Sequence, residues 1–269
     1  MSDPAANPAV LIERTGNVAR LILNRPAALN ALDFAMMDAL VEATVALAAD
    51  ATLRVVVVAG AGKHFMAGGD IRAFAATLDA TPAERQKRYT AAVGHVHTAI
   101  ENLARMPHPV VARVQGAVAG FGISLMNACD LVVASEDTYF AAGYRNIALS
   151  PDGGGSWSLP RLAGARRAAE ILLLGERFDA HAAHTMGLVN RVVPLAELDT
   201  AVDKMVAALC AGPTGALRAT KRLLRDSDAR TLSEQLHAEA LSFGSCSATD
   251  DFAEGISAFV AKRPPRYDG

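Results

Sequence analysis

The run "LRVVVVAG" (53–60) constrains this chain more than any other stretch. Four consecutive valines leave no alternation between an apolar and a polar face. A half-buried strand needs that alternation, because successive side chains point to opposite sides of a sheet. β-Branched side chains disfavour helix and suit a pleated strand. The run is therefore expected to be a strand covered on both faces, as in a parallel sheet with helical crossovers. "VVARVQG" and "DLVVAS" have the same character. Between them lie a glycine-bearing loop and an apolar segment, expected to be helical over about residues 121–129.

Upstream, "AVLIER" and "VARLIL" flank "TGN", the pattern of a β-hairpin. Asn30 precedes "ALDFAMMDALVEATVALAAD", whose apolar positions Leu32, Met36, Leu40 and Leu47 predict an amphipathic helix. Thr81, Pro82 and Glu84 have capping-box spacing with Pro at the first helical position. That helix is expected to run to about Met106, where Pro107 and Pro109 stop it. Strand–helix alternation at this spacing predicts an α/β fold. From about Pro194 onward the pattern is helical only. The expected organisation is a β/α core over residues 1–193 and a helical region over 194–269, forming one cooperative unit.

Acidic and basic residues balance to a net charge of −2, with no basic stripe, so nucleic acid is not an expected partner. Cys129, Cys210 and Cys246 are too scattered for a disulfide framework or a metal-ligand pattern. No metal site is expected, and a reducing cytoplasm fits. "MSDPAANPAV" lacks the charge-then-apolar pattern of a signal peptide, and no stretch approaches the length of a membrane span.

"HFMAGGDI" (64–71) and "GAVAGFGISL" (116–125) share a design. Each follows a β segment, carries small residues and leads toward a helix. Glycine lets backbone N–H groups approach a ligand, and a helix N-terminus adds positive partial charge. Two such N–H groups converging from different loops would form an oxyanion hole. Further on, "SPDGGGSWSLPRL" (150–162) sets Asp152 before three glycines. One reading is a turn, since Asp accepts hydrogen bonds from nearby N–H groups. The other is a lone carboxylate that moves protons.

Taken together, these stretches resemble the crotonase superfamily, the enoyl-CoA hydratase/isomerase family. "LNRPAALNAL" (23–32) looks like its first CoA-binding loop, and the two glycine loops look like its oxyanion loops. "DAHAAHTMGLVNRVVP" looks like its later helix–strand segment, and "FAEGISAFVAKRPPRY" like its C-terminal helix. The match runs from about residue 9 to 267 in one order. The resemblance implies a spiral of ββα units followed by a helical part that trimerises, as a homotrimer or a dimer of trimers. It implies an acyl-CoA thioester substrate, with coenzyme A entering as part of that substrate and no tightly bound cofactor. It places the oxyanion donors at the N–H groups of Gly69 and Phe121.

Family hydratases carry two glutamates, and at those positions this chain has Ser124 and Tyr144. Adding water to a double bond needs a base and an acid, so hydration is not the first expectation. Asp152 falls where several family isomerases, and the 4-chlorobenzoyl-CoA dehalogenase, carry a functional aspartate. The expected reaction is a shift of a 3-enoyl-CoA double bond to 2-enoyl-CoA, with Asp152 carrying the proton. His97 aligns with the dehalogenase's histidine base and is a further catalytic candidate, whereas His95 is set apart from it by two residues' rotation. The expected substrate-binding residues are Arg25 and Ala28 of the first loop, Ala67, Asp70 and Ile71 beside Gly69, and Gly120 beside Phe121. Ser124, Tyr144, Trp157 and Lys262 complete them. Arg25 and Lys262 are candidates for CoA phosphates, Lys262 across a subunit boundary. Phe74 and Leu78 line the acyl pocket or the core; Trp157 either closes the pocket near Asp152 or packs in the core. Dehalogenation of an aryl-CoA, residual hydration, and a non-catalytic acyl-CoA- or RNA-binding role are the alternatives.

Overall fold

The computed structural model describes residues 8–267; the segment "MSDPAAN", which carries most of the expectation about a signal peptide, lies outside them. Strands β1 (Val10–Thr15) and β2 (Val18–Leu23) form the expected antiparallel hairpin. Helix α1 (Phe34–Ala49) begins later than the pattern suggests. Pro26 opens a short 3-10 turn, and Leu29 and Asn30 are both left-handed, so the chain cannot be helical there. Asp33 then caps α1 by accepting the Met36 N–H.

β3 (Val55–Gly60) is the all-valine run. After it come the short α2 (Ile71–Ala75) and the long α3 (Pro82–Arg105), which opens on the Thr81–Glu84 capping box and has Met106 as its C-cap. β4 (Val110–Val114) and β5 (Ala117–Ala119) lead into α4 (Phe121–Asn127), which ends before the expected residue 129. There the Cys129 N–H bonds the Met126 carbonyl and tightens the last turn. β6 (Leu131–Ser135), β7 (Tyr139–Ala141), α5 (Gly155–Ala163), α6 (Ala165–Leu174), β8 (Phe178–Asp179), α7 (Ala180–Thr185) and β9 (Arg191–Val193) complete the mixed region. Beyond Val193 the described residues form helices only: α8 (Leu198–Cys210), α9 (Thr214–Asp226), α10 (Leu232–Ser247), α11 (Asp250–Val260) and short 3-10 turns.

Six strands form one sheet in the order β1-β2-β3-β4-β6-β9, parallel except for the β1 hairpin. β5, β7 and β8 form a second sheet. After the β1-β2 hairpin, successive turns of the chain lay one strand in the large sheet and one in the small sheet, then add a helix. β4-β5-α4 and β6-β7-α5 are two such turns. The result is a spiral of ββα units.

The valine run shows why both faces must be covered. Val56 and Val58 enter the main core with α1 and α3. Val55 and Val57 face the other way, onto Leu198, Val202, Met205 and Val206 of α8. Each valine fully buried in this way contributes about 2 kcal/mol. Helix α8 of the helical region therefore packs directly on the sheet, in a second hydrophobic cluster on the face opposite the main core. Buried Lys221 of α9 reinforces the joint: its Nζ pairs with Asp130 Oδ2 at 2.7 Å and donates to the His108 carbonyl at 2.9 Å. No helix among the described residues is long and apolar enough to cross a membrane.

Candidate active site

Three segments are zipped together to make the first half of the site. Ala67 N–H donates to the Leu29 carbonyl at 3.1 Å, Leu32 N–H to the Gly68 carbonyl at 2.7 Å, and Asp70 N–H to the Leu32 carbonyl at 2.9 Å. On its other side the same loop pairs with β5: Met66 N–H donates to Ala117, and Ala119 N–H to Met66. The Leu32 bridge uses the groups flanking Gly69. In a parallel bridge of this kind the middle residue's own N–H points the opposite way. The Gly69 N–H has no protein acceptor among the described residues.

The second donor arises differently. Phe121 is the first residue of α4, so its N–H has no partner within the helix and lies at the positive end of the dipole. Gly69, by contrast, precedes the Asp70 cap of α2, so its N–H is aimed by strand pairing and not by a helix terminus as expected. Each donor follows a glycine with positive φ: Gly68 at 85° and Gly120 at 48°. The two loops touch there. A Cβ on Gly68 would stand 3.0 Å from the Ala119 carbonyl oxygen and 3.6 Å from Gly120 Cα. That contact brings together the two glycines that precede the unclaimed N–H groups.

The Asp152 loop lies against α4, the helix that Phe121 opens. The Asp152 carbonyl accepts the Gly155 N–H at 3.0 Å, so the turn is present. Gly153 has φ 58°, and a Cβ there would stand 2.7 Å from Ser124 Cβ and 3.0 Å from the Phe121 ring. Only glycine lets the Asp152 loop sit this close to α4. Ser124 Oγ–H donates to the Asp152 carbonyl at 2.8 Å, and Tyr144 O–H donates to Asp152 Oδ1 at 2.6 Å. The Gly153 N–H donates to His97 Nε2 at 3.0 Å. Burial pushes the Asp152 carboxyl above its ordinary range, against the Tyr144 hydrogen bond, which pulls it down. Burial and the Asp152 charge push the Tyr144 phenol up as well, so it stays a donor.

The other expected site residues divide. Ala28 and Ala67 are partly exposed on the zipped loops. Ile71 is exposed at the start of α2. Arg25 is corrected: its guanidinium is held inside the chain, pairing with Asp33 at 2.9 Å and Asp70 at 3.0 Å and donating to the Ala31 carbonyl. Burial draws Asp70 up, but bonds from Arg25 and the N–H groups of Arg72 and Ala73 outweigh it and hold the carboxyl low. Arg25 is thus a loop clamp. Trp157 as a core residue is also corrected: it is 55% exposed, with the Arg161 guanidinium 4.1 Å over its ring. Lys262 is exposed at the end of α11 and makes no ion pair among the described residues. Phe74 packs its ring against Gly69, where a Cβ would meet Cζ at 2.5 Å, while Leu78 is exposed. His95 pairs with Asp38 and His97 with Gly153, so the two histidines act apart.

Asn30 and His64 are organisers that sequence reasoning missed, and for Tyr144, expected only to bind substrate, it missed the bond to Asp152. Fully buried Asn30 accepts the Arg25 N–H at 2.8 Å and donates to the carbonyls of Ala61 at 3.0 Å and His64 at 2.8 Å. Its φ of 54° is one Asn tolerates better than most residues. An Asn closing a proline-opened turn was the available signal. His64 Nδ1 accepts the Ala117 N–H at 3.0 Å, joining the first oxyanion loop to β5, and nothing local marks it. Asn30→Ala is expected to destabilise the protein by about 3 kcal/mol, from orphaned buried groups and a strained left-handed alanine. Urea unfolding should show a lower midpoint at unchanged slope.

Comparison with known proteins gives this arrangement a family. Residues 13–269 match the family model for enoyl-CoA hydratase/isomerase. The 1,2-epoxyphenylacetyl-CoA isomerase of Escherichia coli K12 is 32% identical over 253 residues, covering 94% of this chain and 95% of that protein. The crotonyl-CoA hydratase of Syntrophomonas wolfei is 32% identical, covering 96% and 97%. A crystal structure of an enoyl-CoA hydratase from Polaromonas superposes with a TM-score of 0.88 at 36% identity, covering 96% and 99%. The chain belongs to the enoyl-CoA hydratase/isomerase family and has its crotonase fold. It is an acyl-CoA enzyme of that family.

Proposed function

We propose that the protein shifts the double bond of a 3-enoyl-CoA to the 2,3 position, with Asp152 as the single proton carrier. The observation that carries this is what surrounds the carboxylate. At the two hydratase-glutamate positions, Tyr144 donates to the Asp152 carboxylate and Ser124 to its main-chain carbonyl, and neither is a carboxylate that could activate water. One acid/base group is what the allylic shift needs. Asp152 takes a proton from C2, and the electrons move onto the thioester oxygen as a dienolate. The N–H groups of Gly69 and Phe121 hold that oxygen. Asp152 then returns the proton at C4, and the C–C double bond re-forms between C2 and C3, so atoms and charge balance. A carboxyl raised by burial is a better base for a carbon acid than an ordinary one.

Coenzyme A is then part of the substrate, and the partly exposed Ala28 and Ala67 lie on the loops that would carry it. The exposed apolar side chains of α10 and α11, Phe243, Phe259 and Val260 among them, support self-association as a homotrimer or dimer of trimers.

The test is absorbance of the conjugated 2-enoyl thioester from 3-hexenoyl-CoA, beside hydration of crotonyl-CoA. Conjugation should be much the faster. Conjugation no faster than in buffer with the ester bound, or hydration the faster reaction, overturns the proposal. The pH dependence adds a signed check. Asp152 must be ionised to take the C2 proton, so kcat/KM rises as pH passes through its pKa. The Tyr144 hydroxyl lowers that pKa. Tyr144→Phe should therefore move the rising limb to higher pH and slow the reaction most on the acid side.

A further inference from the structure

We propose that His97 is a positioning residue for Asp152 and not a proton carrier. The Asp152 carbonyl and the Gly153 N–H belong to one peptide unit. In a trans peptide they point in opposite directions. Ser124 of α4 holds the carbonyl at 2.8 Å, and His97 of α3 holds the N–H at 3.0 Å. Two helices therefore grip one peptide plane from opposite sides. That plane sets the direction of the Asp152 side chain, whose Oδ1 is then met by Tyr144 at 2.6 Å. Gly153 cannot relax toward α4, since Ser124 and the Phe121 ring fill the space where a side chain would be.

His97 is half-buried on α3, a helix held in the core by the fully buried Val96, Ala99 and Leu103. Because Nε2 accepts a hydrogen bond, it carries no proton, and its lone pair is committed to the Gly153 N–H. It is not open to a substrate or a water beside Asp152. A histidine acting as a base toward water, as the dehalogenase likeness implies, needs that lone pair free.

The kinetic arm of the test rests on the isomerase proposal. His97→Ala should lower kcat on 3-hexenoyl-CoA by about 10–100-fold at unchanged KM, the effect of a displaced catalytic group. His97→Gln should recover most of the rate, because its side-chain carbonyl can accept the same N–H without acting as a base. A Gln variant as slow as Ala would mean the imidazole moves a proton, and an Ala variant at full rate would mean it does nothing; either overturns the proposal. Hydrogen exchange at the Gly153 amide needs no turnover. It should be faster in His97→Ala and protected in His97→Gln, and unchanged exchange in the Ala variant overturns the proposal. If the unsubstituted protein does not conjugate 3-hexenoyl-CoA, the isomerase proposal fails by itself and the exchange result still decides the role of His97.

Discussion

Asp152→Asn is expected to lower kcat for conjugation of 3-hexenoyl-CoA by about 10³-fold, within the range for loss of a positioned acid/base group. The amide is nearly isosteric and keeps an oxygen for the Tyr144 hydroxyl, so the loop and the acyl-CoA affinity should survive. A loss in kcat with binding retained separates chemistry from folding. A variant that keeps its rate would remove Asp152 from the mechanism outright.

The same substitution should raise stability, with a defined pH dependence. The folded-state pKa of Asp152 is raised by burial. A group raised in this way contributes its full stability below the ordinary carboxylate range and loses it as pH rises through the raised value. At pH 8 the native protein holds a buried charge that the neutral amide of the variant does not carry. Tm of Asp152→Asn should exceed that of the native protein at pH 8, and the gap should close as pH falls toward 4. For a chain near this size each kcal/mol of relief is worth about 2–4 °C. A gap that is constant with pH would mean that the carboxylate's charge is not what costs stability.

The fold was readable because its signals are local. The valine run needs no partner to announce a strand buried on both faces, and the Thr81–Glu84 capping box lies within four residues. The site was readable only in part. Asp152 stood out by its place in a glycine turn. What holds it did not: Ser124 and His97 reach it from α4 and α3, across sequence separations of 28 residues to Asp152 and 56 to Gly153. Arg25 shows the same limit from the other side. A cation in a presumed CoA loop suggests a phosphate, but whether its charge is free depends on Asp33 and on Asp70, 45 residues away in sequence. Trp157 misled because large aromatic area suggests burial, whereas here it is covered on one face by a neighbouring arginine on its own helix.

The second large effect is expected from Gly120→Ala. Gly120 has φ 48° and ψ −120°, a region that an L side chain adopts only at a cost of about 1–3 kcal/mol. An alanine would relieve that strain by rotating the peptide that carries the Phe121 N–H. The Cβ itself would meet the Ala142 carbonyl oxygen and Gly68 Cα at 3.5 and 3.6 Å, ordinary contacts, so backbone strain and not a clash drives that rotation. The donor then no longer faces the oxygen on which charge develops. Loss of one such donor costs about 10²–10³-fold in kcat. The new Cβ would meet the Tyr144 ring only at an ordinary 3.9 Å, so the pH at which kcat/KM rises should stay where it is in the native protein. That is the reverse of the Tyr144→Phe result, in which the limb moves. A Gly120→Ala variant with a shifted limb would mean that the two loops are coupled through Asp152. A fall in kcat at an unmoved limb separates the stabilisation of the oxyanion from the transfer of the proton.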